Sequence, residues 1–485
     1  MRARLCLSLF AVAHLYAVAM AQEQPTAATS QSIVGGATYI THVTVIDTET
    51  GKEIQERTVI ISGDRISEER DSKGIKPPAS AKVVEGRGKY LIPGLWDMHA
   101  HAVVAERLDS MLPTFVANGV LGIRDMGTPM PLADIDRLRQ QTANGSRLGP
   151  RIIAAGPILD GRPKPSRPNF IAINTPEEGR ETVRRLKSGG ADFVKVYSQL
   201  SRDSFLAIAD EAHKQNIPFA GHVPFSMSAL EASDAGQKSM EHLWGIYLSC
   251  SSREEELRSE MLKGGVNLPG SERIRLELDE AAASYDERKA ANVFAHLAKN
   301  GTWLVPTFTA VLRDSEIFDV RVTTDPRLKY IPPPVQKQWS AAASAGAAIK
   351  DQSYERKLQV VGAAHRAGIP LLAGTDAGWV QPYVYAGFSL QDELALLVRA
   401  GLTPVESLQT ATINPARFLG MEKDLGTVEK GKIANLVLLD ADPLTNIHNT
   451  TKISGIFLSG KEFDRAALDQ ILKSAEAAAK SAVVN

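Results

Sequence analysis

The chain has 485 residues, 44% of them apolar, with 55 basic and 56 acidic side chains and a formal charge of −1. That balance excludes the basic footprint of a nucleic-acid binder or of a protein held on an anionic membrane, and it leaves small-molecule chemistry. The length suits one large α/β domain with a smaller companion.

The opening MRARLCLSLFAVAHLYAVAMAQ has a short basic start, an apolar stretch from Leu5 to Met20, and small residues at Ala19 and Ala21. This is the pattern of a secretory signal peptide over 1–21, cut after Ala21, and it predicts a periplasmic or secreted protein. Ser8 and His14 interrupt the stretch, which is short for a bilayer span, so cleavage is expected rather than stable membrane association. The cut removes Arg2, Arg4 and Cys6, which takes the formal charge to −3 and leaves Cys250 without a disulfide partner. Residues 22–36 are small and polar and read as a flexible leader.

Residues 37–90 alternate apolar and polar in HVTVID and RTVIISG, with turns such as GDRISE between, and the texture returns over 422–462 in NLVLLDADP and ISGIFLSGKEF. Both ends are therefore expected to build one small β-sandwich domain. The middle, 91–421, holds the candidate strands YLIPGLWDMHAH, GVLGIRDMG, RIIAAGPILD, ADFVKVYSQ, IPFAGHV, SMEHLW, TWLVPTFTA and IPLLAGTDAG. Helical segments such as PEEGRETVRRLKSG and SRDSFLAIADEAHKQN lie between most of them, and eight βα units are the number that closes a (β/α)8 TIM barrel. Two charged, helix-patterned inserts, 249–300 and 312–366, follow strands at the end where barrel sites form and read equally as lids or as solvated decoration. Thr403, Pro404 and Glu406 form a capping box that opens a further helix, and 463–485 is an Ala-rich helix without apparent chemistry.

The run ADFVKVYSQ places Phe193, Lys195 and Tyr197 on one face of a buried strand and Val194 and Val196 on the other. An unpaired ammonium is costly there, so Lys195 needs a partner or a chemistry. The C-terminal ends of the other strands carry His99 and His101, His222, His242 and Asp376. Each alone has a bland reading as a satisfied imidazole or a turn residue, but their joint placement at one end of the barrel is hard to reach by chance. In His99-Ala100-His101 the period of two puts both imidazoles on one face, where they can hold one divalent ion. Asp97 shares that face one step deeper, either orienting a ligand or packing at the base of the site. Arg124 is expected to pair with Asp125 rather than meet a substrate carboxylate.

With IPGLWDMHAH, GVLGIRDMG, VKVY, GHV, MEHL and LLAGTDAG, this order resembles the amidohydrolase superfamily of metal-dependent hydrolases, in its imidazolonepropionase-like and prolidase-like branch. The resemblance runs from about residue 37 to 462. It implies two divalent ions, Zn²⁺ foremost: His99, His101 and Asp376 on one, His222 and His242 on the other. Lys195, N6-carboxylated by CO₂, would bridge them. Some superfamily members use one metal and no carbamate; a Lys on the fourth strand favours the pair. The expected reaction is attack by a shared hydroxide on an amide carbonyl, with Asp376 moving the proton. Tyr197 is placed to donate a hydrogen bond to the oxyanion or to a substrate carboxylate, or else packs at the barrel mouth. The substrate class implied is an Xaa-Pro dipeptide or an N-acyl amino acid. The alternatives are ring opening of a cyclic amide or lactone, hydrolysis of a mycotoxin amide such as ochratoxin A, and, remotely, a non-catalytic binding protein on the same fold. Homo-oligomerisation stays open.

Overall fold

A computed structural model describes residues 36–161, 168–264, 272, 275–310, 324–345, 354–379 and 381–482. The expected signal peptide, and all of the leader except Gly36, lie outside the described residues, as do 265–271, 273–274, 311–323 and 346–353 within the two inserts.

The two chain ends meet in one eight-stranded sheet, ordered Lys461–Asp464, Ile453–Leu458, Leu436–Leu439, Tyr90–Pro93, Thr38–Asp47, Lys52–Ser62 and Arg65–Asp71, with Lys82–Glu85 also paired to Thr38–Asp47. Ile66 donates to the Lys432 carbonyl at 2.9 Å and accepts from Gly431 at 2.7 Å, so the last strand returns to the segment entering Leu436–Leu439. The sheet thereby curls around Ile40, Val59, Leu91, Leu436 and Phe457, all buried. The strands expected as a sandwich thus share a single hydrogen-bonded sheet.

YLIPGLWDMHAH, expected as one strand, divides at Gly94. Tyr90–Pro93 joins the terminal sheet, and Leu95–Ala100 begins the parallel structure. Residue 94 must be glycine there, because a Cβ would fall 2.7 Å from the Leu121 side chain. Leu95–Ala100, Val120–Asp125 and Arg151–Ala154 form a three-stranded parallel sheet. A six-stranded parallel sheet runs Phe170–Ala172, Ile158–Asp160, Val194–Val196, Phe219–Gly221, Ser239–Glu241, Trp303–Val305. RIIAAGPILD is therefore two strands, one in each sheet. IPLLAGTDAG makes only isolated parallel bridges, Leu371 to Leu304 and Ala377 to Ala100. Its extended path ends because Asp376 takes a left-handed φ of 62°.

Helices Pro176–Ser188, Arg202–Lys214 and Ala229–Asp234 fall where the periodicity predicts them, each opened by a hydroxyl cap from Thr175, Ser201 or Ser228. Thr403 and Glu406 make both bonds of the capping box before Pro404–Thr410. The first insert folds into Glu254–Gly264 and Glu287–Lys299, among others, and the second into Pro333–Ala345 and Tyr354–Arg366. No helix among the described residues is long and apolar enough to cross a membrane.

Candidate metal centre

His99 ends the inward face of Leu95–Ala100 and His101 follows it directly. The backbone of 371–377 holds both: Met98 donates to Ala373 at 2.9 Å, His101 donates to Ala377 at 2.8 Å, and Asp376 donates to the His99 carbonyl at 2.7 Å. That approach requires glycine at 374, where a Cβ would sit 2.7 Å from the His99 Cβ. Buried Asp97 ties the same two segments, accepting from the backbone N–H groups of His99 at 3.2 Å and Thr375 at 3.1 Å and from the Thr375 hydroxyl at 2.6 Å. Burial pushes its carboxyl up to about 7. Asp97 thus ties together the backbone that carries His99 and Asp376, a role distinct from both expected ones.

His99, His101 and Asp376 converge, each offering one ligand atom within 4.8 Å of the others. Asp376 Oδ1 is 3.4 Å from His99 Nε2 and 3.2 Å from His101 Nε2. Burial works to raise the Asp376 carboxyl, but the His101 and His99 imidazoles beside it outweigh burial and hold the group well below the usual carboxylate range. His242 and His222 continue the cluster through ring contacts. The His242 ring is 4.4 Å from that of His99, and the His222 ring is 5.0 Å from that of His242. His242 lies one residue past the strand Ser239–Glu241 rather than on it, with φ 59°. Burial first, then the nearby Lys195 charge for His222 and His99 for His242, keeps both imidazoles neutral, the form that ligates metals.

Every one of these histidines has its Nδ1 occupied. The Gly127 carbonyl is 3.0 Å from that of His101, Ser198 Oγ 2.8 Å from that of His222, Thr307 Oγ1 2.6 Å from that of His242, and Glu241 Oε2 2.7 Å from that of His99. Such partners orient the ring and leave Nε2 to face inward.

Lys195 sits on Val194–Val196 with 1% of its surface exposed, and its Nζ has no hydrogen-bond partner. Burial pulls its amine down to about 8. Tyr197, partly buried, stacks on His222 at 4.0 Å and meets the edge of Phe170 at 5.2 Å. Buried His99 Nε2 likewise has no hydrogen-bond partner. Orphaned buried donors and acceptors are rare in folded proteins. Here they sit among imidazole and carboxylate groups, the donor set of Zn²⁺ and related divalent ions, so these residues fit a metal centre.

Two buried carboxylates near the cluster, Glu241 and Glu393, escape the sequence reading, and Arg124 is reassigned. Arg124 does not pair with Asp125. Its Nη2 lies 2.9 and 3.1 Å from the two oxygens of Glu241, its Nη1 donates to Ser239 at 2.9 Å, and its Nε donates to the Met98 carbonyl at 2.6 Å. Asp125 instead accepts from the backbone of Val103 and Gly127 at 2.8 and 3.1 Å. Glu241 was visible in MEHL but unremarkable beside His242. Buried Glu393, on helix Phe388–Arg399, accepts from the backbone of Phe308 at 2.9 Å and Thr309 at 2.8 Å, next to Thr307, the partner of His242. Both inserts reach segments that follow the ligand-bearing strands. Glu277 accepts from Gly245 N–H at 2.5 Å, and Trp339 donates to the Trp379 carbonyl at 3.1 Å.

Parallel strands thus carry a cluster of histidine, carboxylate and lysine side chains at their C-terminal ends. The Amidohydrolase family profile matches residues 90–463, and the chain belongs to that family, whose members hydrolyse amide and other carbon–nitrogen bonds. It is 24% identical over 442 residues to the ochratoxinase of Aspergillus niger, covering 78% of this chain and 76% of that one. Among solved structures it is similar to a putative prolidase from Bifidobacterium longum, with TM-score 0.64, 24% identity, and 91% and 99% of the two chains covered. It is also similar to a bottromycin amidohydrolase, with TM-score 0.72, 23% identity, and 91% and 90% covered.

Proposed function

We propose that this chain is an exported binuclear amidohydrolase that cleaves the amide bond of a small substrate, an Xaa-Pro dipeptide or an N-acyl amino acid. The observation that carries the reading is the convergence of His99, His101 and Asp376 beside a buried, unpartnered Lys195. In this reading the parallel strands close a (β/α)8 barrel, supported by the bridges from Leu371 to Leu304 and from Ala377 to Ala100. His99, His101 and Asp376 would hold one divalent ion and His222 and His242 a second, with Lys195, once carboxylated, as a ligand shared between them. Zn²⁺ suits this donor set. Neutral amine is the form that attacks CO₂, and an amine lowered to about 8 offers a useful fraction of it near neutral pH.

When bound, such ions lower the pKa of water and polarise a carbonyl. The protein groups do the rest. Asp376, ionised, takes the proton of the attacking water and delivers it to the leaving nitrogen. Tyr197, stacked on His222, presents its hydroxyl to the developing oxyanion or to a substrate carboxylate. Asp97 and Thr375 keep the Asp376 turn in place.

A second reading, hydrolysis of an aromatic amide such as ochratoxin A, is favoured by the rings of Phe170, Tyr197 and Trp244 around His222 and by the likeness to the fungal ochratoxinase. The test is a substrate panel on protein loaded with Zn²⁺ and bicarbonate: Xaa-Pro dipeptides, N-acyl amino acids, ochratoxin A and lactones. Turnover of the first two groups supports the leading reading. Turnover of ochratoxin A alone moves the assignment to the second, and turnover of lactones alone rejects both.

A further inference from the structure

The four histidines are not backed alike. The Nδ1 atoms of His222 and His242 meet neutral hydroxyls, and that of His101 meets a carbonyl, but that of His99 meets a buried carboxylate. Glu241 cannot serve as a ligand itself. Its Oε1 accepts from Arg124 Nη2 at 2.9 Å and from Ser239 at 2.6 Å, and its Oε2 faces His99 Nδ1 at 2.7 Å and Arg124 Nη2 at 3.1 Å. Every strong acceptor direction is used. Arg124 also donates to the Met98 carbonyl, so the carboxylate is referenced to the backbone just before His99 as well as to its own strand.

We infer that Glu241 is a positioning residue that makes the two metal positions unequal, so that the centre loads in order, first at His99–His101–Asp376 and then at His222–His242. The inference rests on the paired-metal reading above. An anionic partner at Nδ1 fixes the proton on that nitrogen, aims the Nε2 lone pair inward and raises ligand basicity, whereas a hydroxyl partner gives orientation without added charge. The first position also owns the only carboxylate among the proposed ligands, Asp376. The second has only two residues of its own, His222 and His242, beside a shared Lys195 that must first be carboxylated. Glu241 and His242 are consecutive in the chain, and the His99 and His242 rings are 4.4 Å apart, so one carboxylate stiffens the boundary between the two positions.

The experiment titrates chelator-stripped full chain with Co²⁺ in the presence of bicarbonate, following visible d–d absorption, with equilibrium dialysis and metal analysis for stoichiometry. Wild type should bind in two steps, and Lys195→Ala should keep the tighter one. Glu241→Gln should weaken that tighter step by about 10- to 100-fold, the usual cost of removing a ligand's orienting partner, and bring the two steps together. Folding is monitored by circular dichroism. If Glu241→Gln does not fold, Glu241→Asp, which withdraws the carboxylate by one methylene, should weaken the first step in the same direction.

A folded Glu241 variant with wild-type affinity in the first step overturns the inference, because a merely structural ion pair lowers metal-free stability and leaves affinity alone. A wild-type chain that binds a single equivalent defeats the paired-metal reading instead, and the effect of Glu241 is then read on that one equivalent.

Discussion

Arg124 and Glu241 lie 117 positions apart in the chain, yet they form a fully buried ion pair with Nη2 2.9 and 3.1 Å from the two carboxylate oxygens. The pair lies directly behind His99 and shares Glu241 with it. Burial lowers the Arg124 guanidinium, while the Arg124 and His99 contacts outweigh burial at Glu241 and hold its carboxyl well below the usual range.

Removing one partner of such a pair strands the other charge out of water. Arg124→Met keeps most of the side-chain volume and leaves the Glu241 carboxylate uncompensated, so it should cost about 3–5 kcal/mol. Urea unfolding of the metal-free chain measures this. A cost under about 1 kcal/mol would mean that water or another cation replaces the guanidinium.

Lys195 gives a pH dependence to assembly. Its amine is lowered from 10.5 to about 8, so the neutral fraction grows as pH rises through that value. Recovery of metal content by stripped protein in Zn²⁺ and bicarbonate should therefore be several-fold faster at pH 8 than at pH 6.5, once corrected for the CO₂ available at each pH. Lys195→Ala should show no such dependence.

Glu393 gives a pH dependence to stability. Burial pushes its carboxyl from 4.5 up to about 8, against the hydrogen bonds from Thr309 and Phe308. A raised folded value means that the native state keeps a proton that the unfolded chain releases. Its contribution to stability is complete below about pH 4.5 and fades as pH rises to 8, by up to about 1.4 kcal/mol per pH unit. Urea midpoints of wild type and Glu393→Gln between pH 5 and 8 should diverge with that slope, the variant losing less. Parallel midpoints would show that Glu393 is ionised throughout.

The residues of the candidate cluster stood out in the sequence because their signals are local. His99 and His101 announce a shared face by their spacing, Lys195 stands out as a charge in an apolar run, and GHV and GTDAG mark strand ends by glycine. Helices were legible from their segment patterns, as in SRDSFLAIADEAHKQN, and from the capping box at Thr403. What stayed hidden depends on distant contacts. Arg124 found its carboxylate across the fold instead of at the next residue, and Glu393 occupies a buried position in a helix whose sequence alone allows it to face water. Tyr90–Pro93 looked continuous with Leu95–Ala100, but pairing with Leu436–Leu439 takes the first piece into the terminal sheet while the second pairs with Val120–Asp125. His242 left its strand because its backbone adopts a left-handed conformation, which no residue-type pattern at MEHL requires.

The central claim is a two-metal centre bridged through Lys195. Its most direct test is metal analysis of the full chain, stripped with chelator, reloaded with Zn²⁺ and bicarbonate and dialysed. The account predicts two equivalents per chain for wild type and no more than one for Lys195→Ala, with loss of turnover. Wild type that retains no stoichiometric metal, or Lys195→Ala that retains two equivalents and full turnover, would contradict it.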